Sequence, residues 1–230
     1  MKTSNKILLS FLIFIFSGII LLYAGSKYFT EFYNTKDLTH QKKPLLPFSV
    51  IVAEPGAIFS IKNGKENFIS HTYKKGTVPN IDYAVRNDTL FITFVKPKQD
   101  QVKQTNNLTY IYCTNIKSII AKENSDIYLD KFETDSLSIK MNKSKLNWGF
   151  DKLISLRVQA KDADIYLHGK NLEKANIQLD KTQLRIATQT RINKISGILT
   201  NDSDSELSYT NHVHIDTDQT STYNFFDFNN

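Results

Sequence analysis

Small residues recur every nineteen positions through the middle of this chain: Ser125, Ser144, Ala163 and Thr182, with Ser205 a further twenty-three on. Two positions after each comes an apolar residue (Ile127, Leu146, Ile165, Leu184, Leu207), and two further on stand Leu129, Trp148, Leu167, Ile186 and Tyr209. Seven and five positions upstream the same register gives Leu137/Ile139, Leu156/Val158, Ala175/Ile177 and Ile198/Thr200. Each unit therefore reads as a strand of period two, a polar turn and a second strand of period two. A unit this short has no room for a helix beside its turns, and it cannot bury its own apolar face without stacking on its neighbours. The fold class implied is all-β: a parallel β-helix, or solenoid, with in-register rungs of nineteen residues. The four surplus residues before Ser205 are expected to bulge at a turn.

The solenoid reading covers residues 114–210, and residues 211–230 read as one more strand, His212–Asp216, followed by a cap built around Phe225, Phe226 and Phe228. An uncapped stack leaves an open pairing edge, which such an aromatic tail can cover. Residues 48–113 alternate with period two and form a short N-terminal β module. Its clearest signal is a hairpin, Tyr83-Ala-Val85 and Leu90-Phe-Ile92-Thr-Phe94 about the turn Arg86-Asn87-Asp88-Thr89. Asn and Asp tolerate the backbone conformations that such turns require. Residues 27–47 read as a linker.

Residues 7–26 carry no charge and are dominated by Leu, Ile and Phe, with Lys2 and Lys6 before them. A run of that length can cross a bilayer as one helix, so residues 1–26 are expected to be a cytoplasmic tip and a signal anchor. The chain then becomes a single-pass membrane protein with its soluble part extracytoplasmic, periplasmic or on the cell surface. A cleaved signal peptide is the rival, although Leu22-Tyr-Ala24 is a poor cleavage site. No cysteine lies near the end of the segment to accept a lipid.

Net charge is +6, but Lys and acidic residues interleave through the rungs, and no nucleic-acid motif accompanies the excess. Cys113 is the single cysteine, so an intramolecular disulfide and a cysteine-based zinc site are excluded. Nucleophile elbows, phosphate loops and dinucleotide fingerprints are absent. No catalytic residue and no cofactor are expected.

The layout resembles a known family. The hairpin VRNDTLFITF, the apolar run LTYIYCTNIKSI and the rungs that follow are similar to the head GIN domain, the DUF2807-type auto-transporter adhesin domain of Bacteroidota envelope proteins. The resemblance spans Phe48 to Tyr209. It implies a parallel β-helix, secreted or membrane-tethered, and supplies no catalytic residues. Family rungs typically turn on Gly-Ser-Gly-Asp-like sequences, whereas this chain has Asn124-Ser-Asp126, Lys143-Ser-Lys145, Asp162-Ala-Asp164 and Lys181-Thr-Gln183.

In-register rungs create outward columns. One holds Asp126, Lys145, Asp164, Gln183 and Glu206, an alternating-sign ladder suited to fixing register. Another holds Tyr128, Asn147, Tyr166 and Arg185, whose aromatic faces, amide and guanidinium could stack on sugar rings and hydrogen-bond their hydroxyls. The acidic run Asp202, Asp204 and Glu206 is the one calcium candidate, but it lacks the glycine and spacing of a recognised loop. The expectation is a non-catalytic, adhesin-like binding or structural module of the bacterial envelope, with a glycan or an envelope protein as partner. The alternatives are a polysaccharide-active β-helix enzyme, which needs converging carboxylates, or a regulatory partner of another membrane protein.

Overall fold

The computed structural model describes residues 11–23, 38–75, 80–95 and 108–225. Residues 11–23 form a helix. At about 1.5 Å per residue these thirteen described residues span roughly 20 Å, against a hydrocarbon core of about 30 Å. No helix among the described residues is long and apolar enough to cross a membrane. The flanking residues 7–10 and 24–26 of the expected span lie outside the described residues.

The rest is strand. In chain order come β1 (Leu38–Pro44), β2 (Val50–Ala53), β3 (Ile58–Asn63), β4 (Phe68–Lys74), β5 (Ile81–Arg86), β6 (Thr89–Phe94) and β7 (Leu108–Cys113). Then follow β8 (Ser118–Ala121), β9 (Asp126–Leu129), β10 (Ser136–Asn142), β11 (Lys145–Lys161), β12 (Asp164–Asp180), β13 (Gln183–Ile186), β14 (Arg191–Thr200), β15 (Asp204–Leu207), β16 (Thr210–Thr217) and β17 (Thr222–Phe225). They build two parallel sheets back to back. The first face runs β6, β2, β8, β10, the second half of β11, the second half of β12, β14, β16. The second runs β7, β3, β9, the first halves of β11 and β12, β13, β15, β17. Between them lies one apolar core in which each inward position stacks on its equivalent. Ile51, Ile119, Ile139, Val158 and Ile177 form one such column, and Phe59, Ile127, Leu146, Ile165 and Leu184 another.

The corner between the faces explains the nineteen-residue signal. The residue before each small one takes a left-handed backbone: Gly56 (φ 79°), Asn124 (57°), Lys143 (46°), Asp162 (49°), Lys181 (49°) and Asp202 (62°). Its N–H donates to a carbonyl one turn further along the stack, as from Asn124 to Lys143 (2.7 Å), Lys143 to Lys161 (2.9 Å) and Asp162 to Asp180 (2.9 Å). That conformation folds the next residue into the inside of the corner, and Ser125, Ser144, Ala163, Thr182 and Ser203 are all buried. Only a short side chain fits, and three of the hydroxyls there donate to a backbone carbonyl, Ser125 Oγ to Lys122 O (2.6 Å), Thr182 Oγ1 to Asp180 O (3.0 Å) and Ser203 Oγ to Thr200 O (2.7 Å), while Ser144 Oγ has no partner. Asn and Asp occupy left-handed backbone readily, so the family's turn glycines are dispensable at 124, 162 and 202. Lys143 and Lys181 do so at a cost of about 1–2 kcal/mol.

The fifth corner is held by Ser203, not Ser205, and this corrects the expected register. Gln183 pairs with Asp204, twenty-one residues on. The surplus is therefore two residues rather than four, one in the corner at 187–190 and one at Asn201-Asp202, where both backbones are left-handed. Ser205 lies inside against Leu184, Leu207 rather than Tyr209 fills the position after it, and Leu199 rather than Ile198 points inward. On the second face the shift is two residues and leaves period-two alternation unchanged, whereas on the first it is three and turns Ile198 outward.

Residues 48–113 join the same two columns. The hairpin β5–β6 forms as expected, with Asn87 and Asp88 both at positive φ. The strand β1 occupies part of the expected linker and pairs with β4, with Lys42 Nζ 3.7 Å from the centroid of the Phe68 ring. Cys113 is fully buried, and burial pushes its thiol up to about 12, so it is a packing group. At the other end, His212–Asp216 lies within β16 and Thr222–Phe225 forms β17, with Tyr223 packing partly on the core. Phe226 and Phe228 lie outside the described residues.

Candidate functional site

The outward positions of the second face form the expected column. Tyr128 pairs with Asn147, Asn147 with Tyr166 and Tyr166 with Arg185. Each follows from period two: Ile127 and Leu129 on either side of Tyr128 are buried, so the tyrosine must face out. Tyr128 and Tyr166 are each 41% exposed and two rungs apart, about 10 Å at the usual strand spacing, with the Asn147 amide between them.

Neighbours hold both rings. Tyr128 Oη donates to Asp126 Oδ2 (2.9 Å), a bond that raises the phenol's pKa and keeps it protonated. Tyr166 lies nearly parallel to His168, centroids 5.5 Å apart at 28°. Beside the tyrosines runs the charged column Asp126, Lys145, Asp164 and Gln183, with Lys145 Nζ 3.5 Å from Asp164 Oδ2. Asp204 continues this column, and Glu206 moves into the tyrosine column opposite Arg185. Arg185 Nε donates to Glu206 Oε2 at 3.2 Å, so the guanidinium is already paired at one edge. Sequence reasoning missed this partner because it followed from the register error.

The residues of the calcium candidate do not converge. Asp202 sits at the corner, Asp204 Oδ1 accepts from Thr222 Oγ1 (2.9 Å), and Glu206 is engaged by Arg185. Among the described residues no three His, Cys, Asp or Glu side chains are grouped to hold a metal ion. Asp126 and Asp164 are two rungs apart with Lys145 between them, Asp126 accepting from Tyr128 Oη and Asp164 paired with Lys145. The arrangement is an open face carrying two aromatic platforms, an amide and an ion-paired rim. Chemically it can stack on and hydrogen-bond an extended ligand.

A family model described as "Putative auto-transporter adhesin, head GIN domain" matches residues 47–220. A solved structure described as a putative adhesin from Bacteroides fragilis NCTC 9343 is similar over 83% of this chain and 98% of its own, at 15% identity and a TM-score of 0.54. Another, from Parabacteroides distasonis ATCC 8503, aligns over 82% of this chain and 93% of its own, at 14% identity and a TM-score of 0.49. The first of these shows a shared fold. No curated protein matches the chain.

Proposed function

We propose a function from the premise that this chain belongs to the head GIN domain family: it is a non-catalytic, adhesin-like module of the bacterial envelope that holds an extended glycan against its second face. The observation that carries this reading is the in-register column Tyr128, Asn147, Tyr166, an aromatic–amide–aromatic strip on a flat sheet. Binding is a sum of weak contacts along the stack, since a face this open cannot enclose a ligand. Residues 7–26 tether the module to the membrane, with residues 27 onward extracytoplasmic; their apolar composition supports this.

The test uses the full chain in mild detergent against a panel of neutral polysaccharides, reading retention and release of reducing ends together. Retention without release is expected, and it should fall when Tyr128 and Tyr166 are both replaced by Ser while circular dichroism stays unchanged. Release of new ends would put an enzyme in its place. Retention by neither wild type nor variant would move the weight to a protein partner. Tethering is checked by alkaline extraction of membranes, where the chain should remain in the pellet. A mature N-terminus near Gly25 would instead show a cleaved leader.

A further inference from the structure

The first face differs from the second in its charge arrangement. Its outward positions from β8 to β14 make a shallow groove floored by short side chains, Ser136, Ser138, Ser155 and Ser196, and walled by Lys117, Arg157, Lys174 and Lys194. Its lining contains four cations and no acid. These four are exposed, and among the described residues none makes an ion pair; the ion pairs of the described residues all involve other cations. Elsewhere the stack sets opposite charges side by side, as in Lys145–Asp164, Lys161–Asp180 and Lys170–Asp151. Here Lys174 stands directly in register with Lys194. Like charges opposed on adjacent strands destabilise a sheet, and a face with only a structural role gains nothing from them.

The cations follow the axis of the stack rather than one strand. Lys194, Lys174, Ser155 and Ser136 form one column, and Ser196, Asn176, Arg157 and Ser138 form its neighbour. From the rung of Lys117 to that of Lys194 is four strand spacings, about 19 Å. A rod of positive charge over a hydroxyl-rich floor matches a linear polymer whose anionic groups repeat along its length and whose remaining groups are hydroxyls.

We infer that this groove is a binding site for an acidic polysaccharide, a chain bearing uronate carboxylates or sulfate esters, lying parallel to the solenoid axis and separate from the tyrosine column. Nucleic acid fits less well, because no aromatic side chain lines the groove to stack a base. An acidic protein surface fits less well because the lining offers no aromatic anchor.

The test uses the full chain in mild detergent with four probes at 50 and 150 mM salt: polygalacturonate, dextran sulfate, neutral dextran and single-stranded poly-dT. The expected result is binding of one or both acidic glycans that persists at 150 mM salt, with neutral dextran ignored by this groove. The variant Lys117→Gln/Arg157→Gln/Lys174→Gln/Lys194→Gln should weaken acidic-glycan binding by about tenfold or more, several charge contacts being lost together. The control Lys62→Gln/Lys143→Gln/Lys170→Gln/Lys181→Gln removes as much charge from outside this groove and should change affinity less than about twofold. Tyr128→Ser/Tyr166→Ser should leave acidic-glycan binding intact, which separates this site from the second-face reading. Equal loss in control and test variants, or no acidic-glycan binding at 150 mM salt, overturns the inference. Tighter binding of poly-dT, lost in the same variant, replaces the glycan with nucleic acid. Should the quadruple variant fail to fold, Lys174→Glu and Lys194→Glu, each on its own, carry the same test with the same directions.

Discussion

From β8 to β17 the chain stacks in the order it is written, each turn resting on the one before. Residues 50–113 break that order. β2 lies between β6 and β8, and β3 between β7 and β9, so the first turn of the chain is clamped between the second and the third. The outer edges of that end are then closed by antiparallel strands, β5 on β6 and β4 on β7, with β1 on β4. One region is a repeat whose neighbours supply one another; the other is a lid assembled from distant segments. Exposed parallel edges recruit other chains, and a solenoid ends safely only where its sequence departs from the repeat.

The largest effect on this comparison should come from a mid-strand residue of the regular region, Gly197 in β14. A Cβ at Gly197 would lie 1.9 Å from Ile177 O, so Gly197→Ala should cost several kcal/mol, of order 3 or more, and chemical denaturation should show it. Ile51 and Ile165 are both buried, one in the lid and one in the repeat, and replacing either by Ala should cost about 2–5 kcal/mol. Hydrogen exchange then separates them. Ile51→Ala should release amides in β6 and β8 together, while Ile165→Ala should release only the adjoining rungs of β11 and β13. Release confined to β6 would break the clamped topology.

Smaller effects sharpen the account of the corners. Lys143→Gly and Lys181→Gly should each stabilise the chain by roughly 0.5–1 kcal/mol, by relieving left-handed backbone, whereas Gly56→Ala in the lid should destabilise it by about 1 kcal/mol. Thermal melts of the three variants check the signs. The smallest effect is a pH dependence. Asp218 accepts N–H bonds from Asn201 (2.6 Å) and Ser221 (2.8 Å), which hold its carboxyl well below the usual range. The stabilisation from this depressed value is complete above the unfolded pKa of about 3.9 and is lost as pH falls through the folded value. Asp218→Asn should flatten the acid limb of the stability curve below about pH 4. In the lid, burial and then Lys43 lower the pKa of His71, so stability there should begin to fall as pH drops below about 6.5.

Much of the repeat is legible because each residue there answers to a local rule. Asn87-Asp88 announces the hairpin, and Ser125, Ser144, Ala163 and Thr182 announce corners that admit nothing larger. The tyrosine column is readable for as long as the spacing stays at nineteen, and it fails at Glu206, where two single insertions put Ser203 rather than Ser205 at the corner. The clamped first turn is not readable. Alternation in Val50–Ala53 says which side chains point inward, but nothing in it says which parallel strand comes next. The basic groove is hidden for a related reason. Lys174 and Lys194 are unremarkable as sequence and become a pair only once the twenty-residue step between them is known.

The clamped turn also dictates a schedule. As the chain emerges from its N-terminal end, residues 50–63 are made before the strands that flank them on both sides, which extend to Leu129. Until that point there is no finished turn for a later one to copy. The repeat therefore cannot grow from the leading end rung by rung. Its template is completed only when more than half the chain is out, and the remaining rungs then have one direction in which to add.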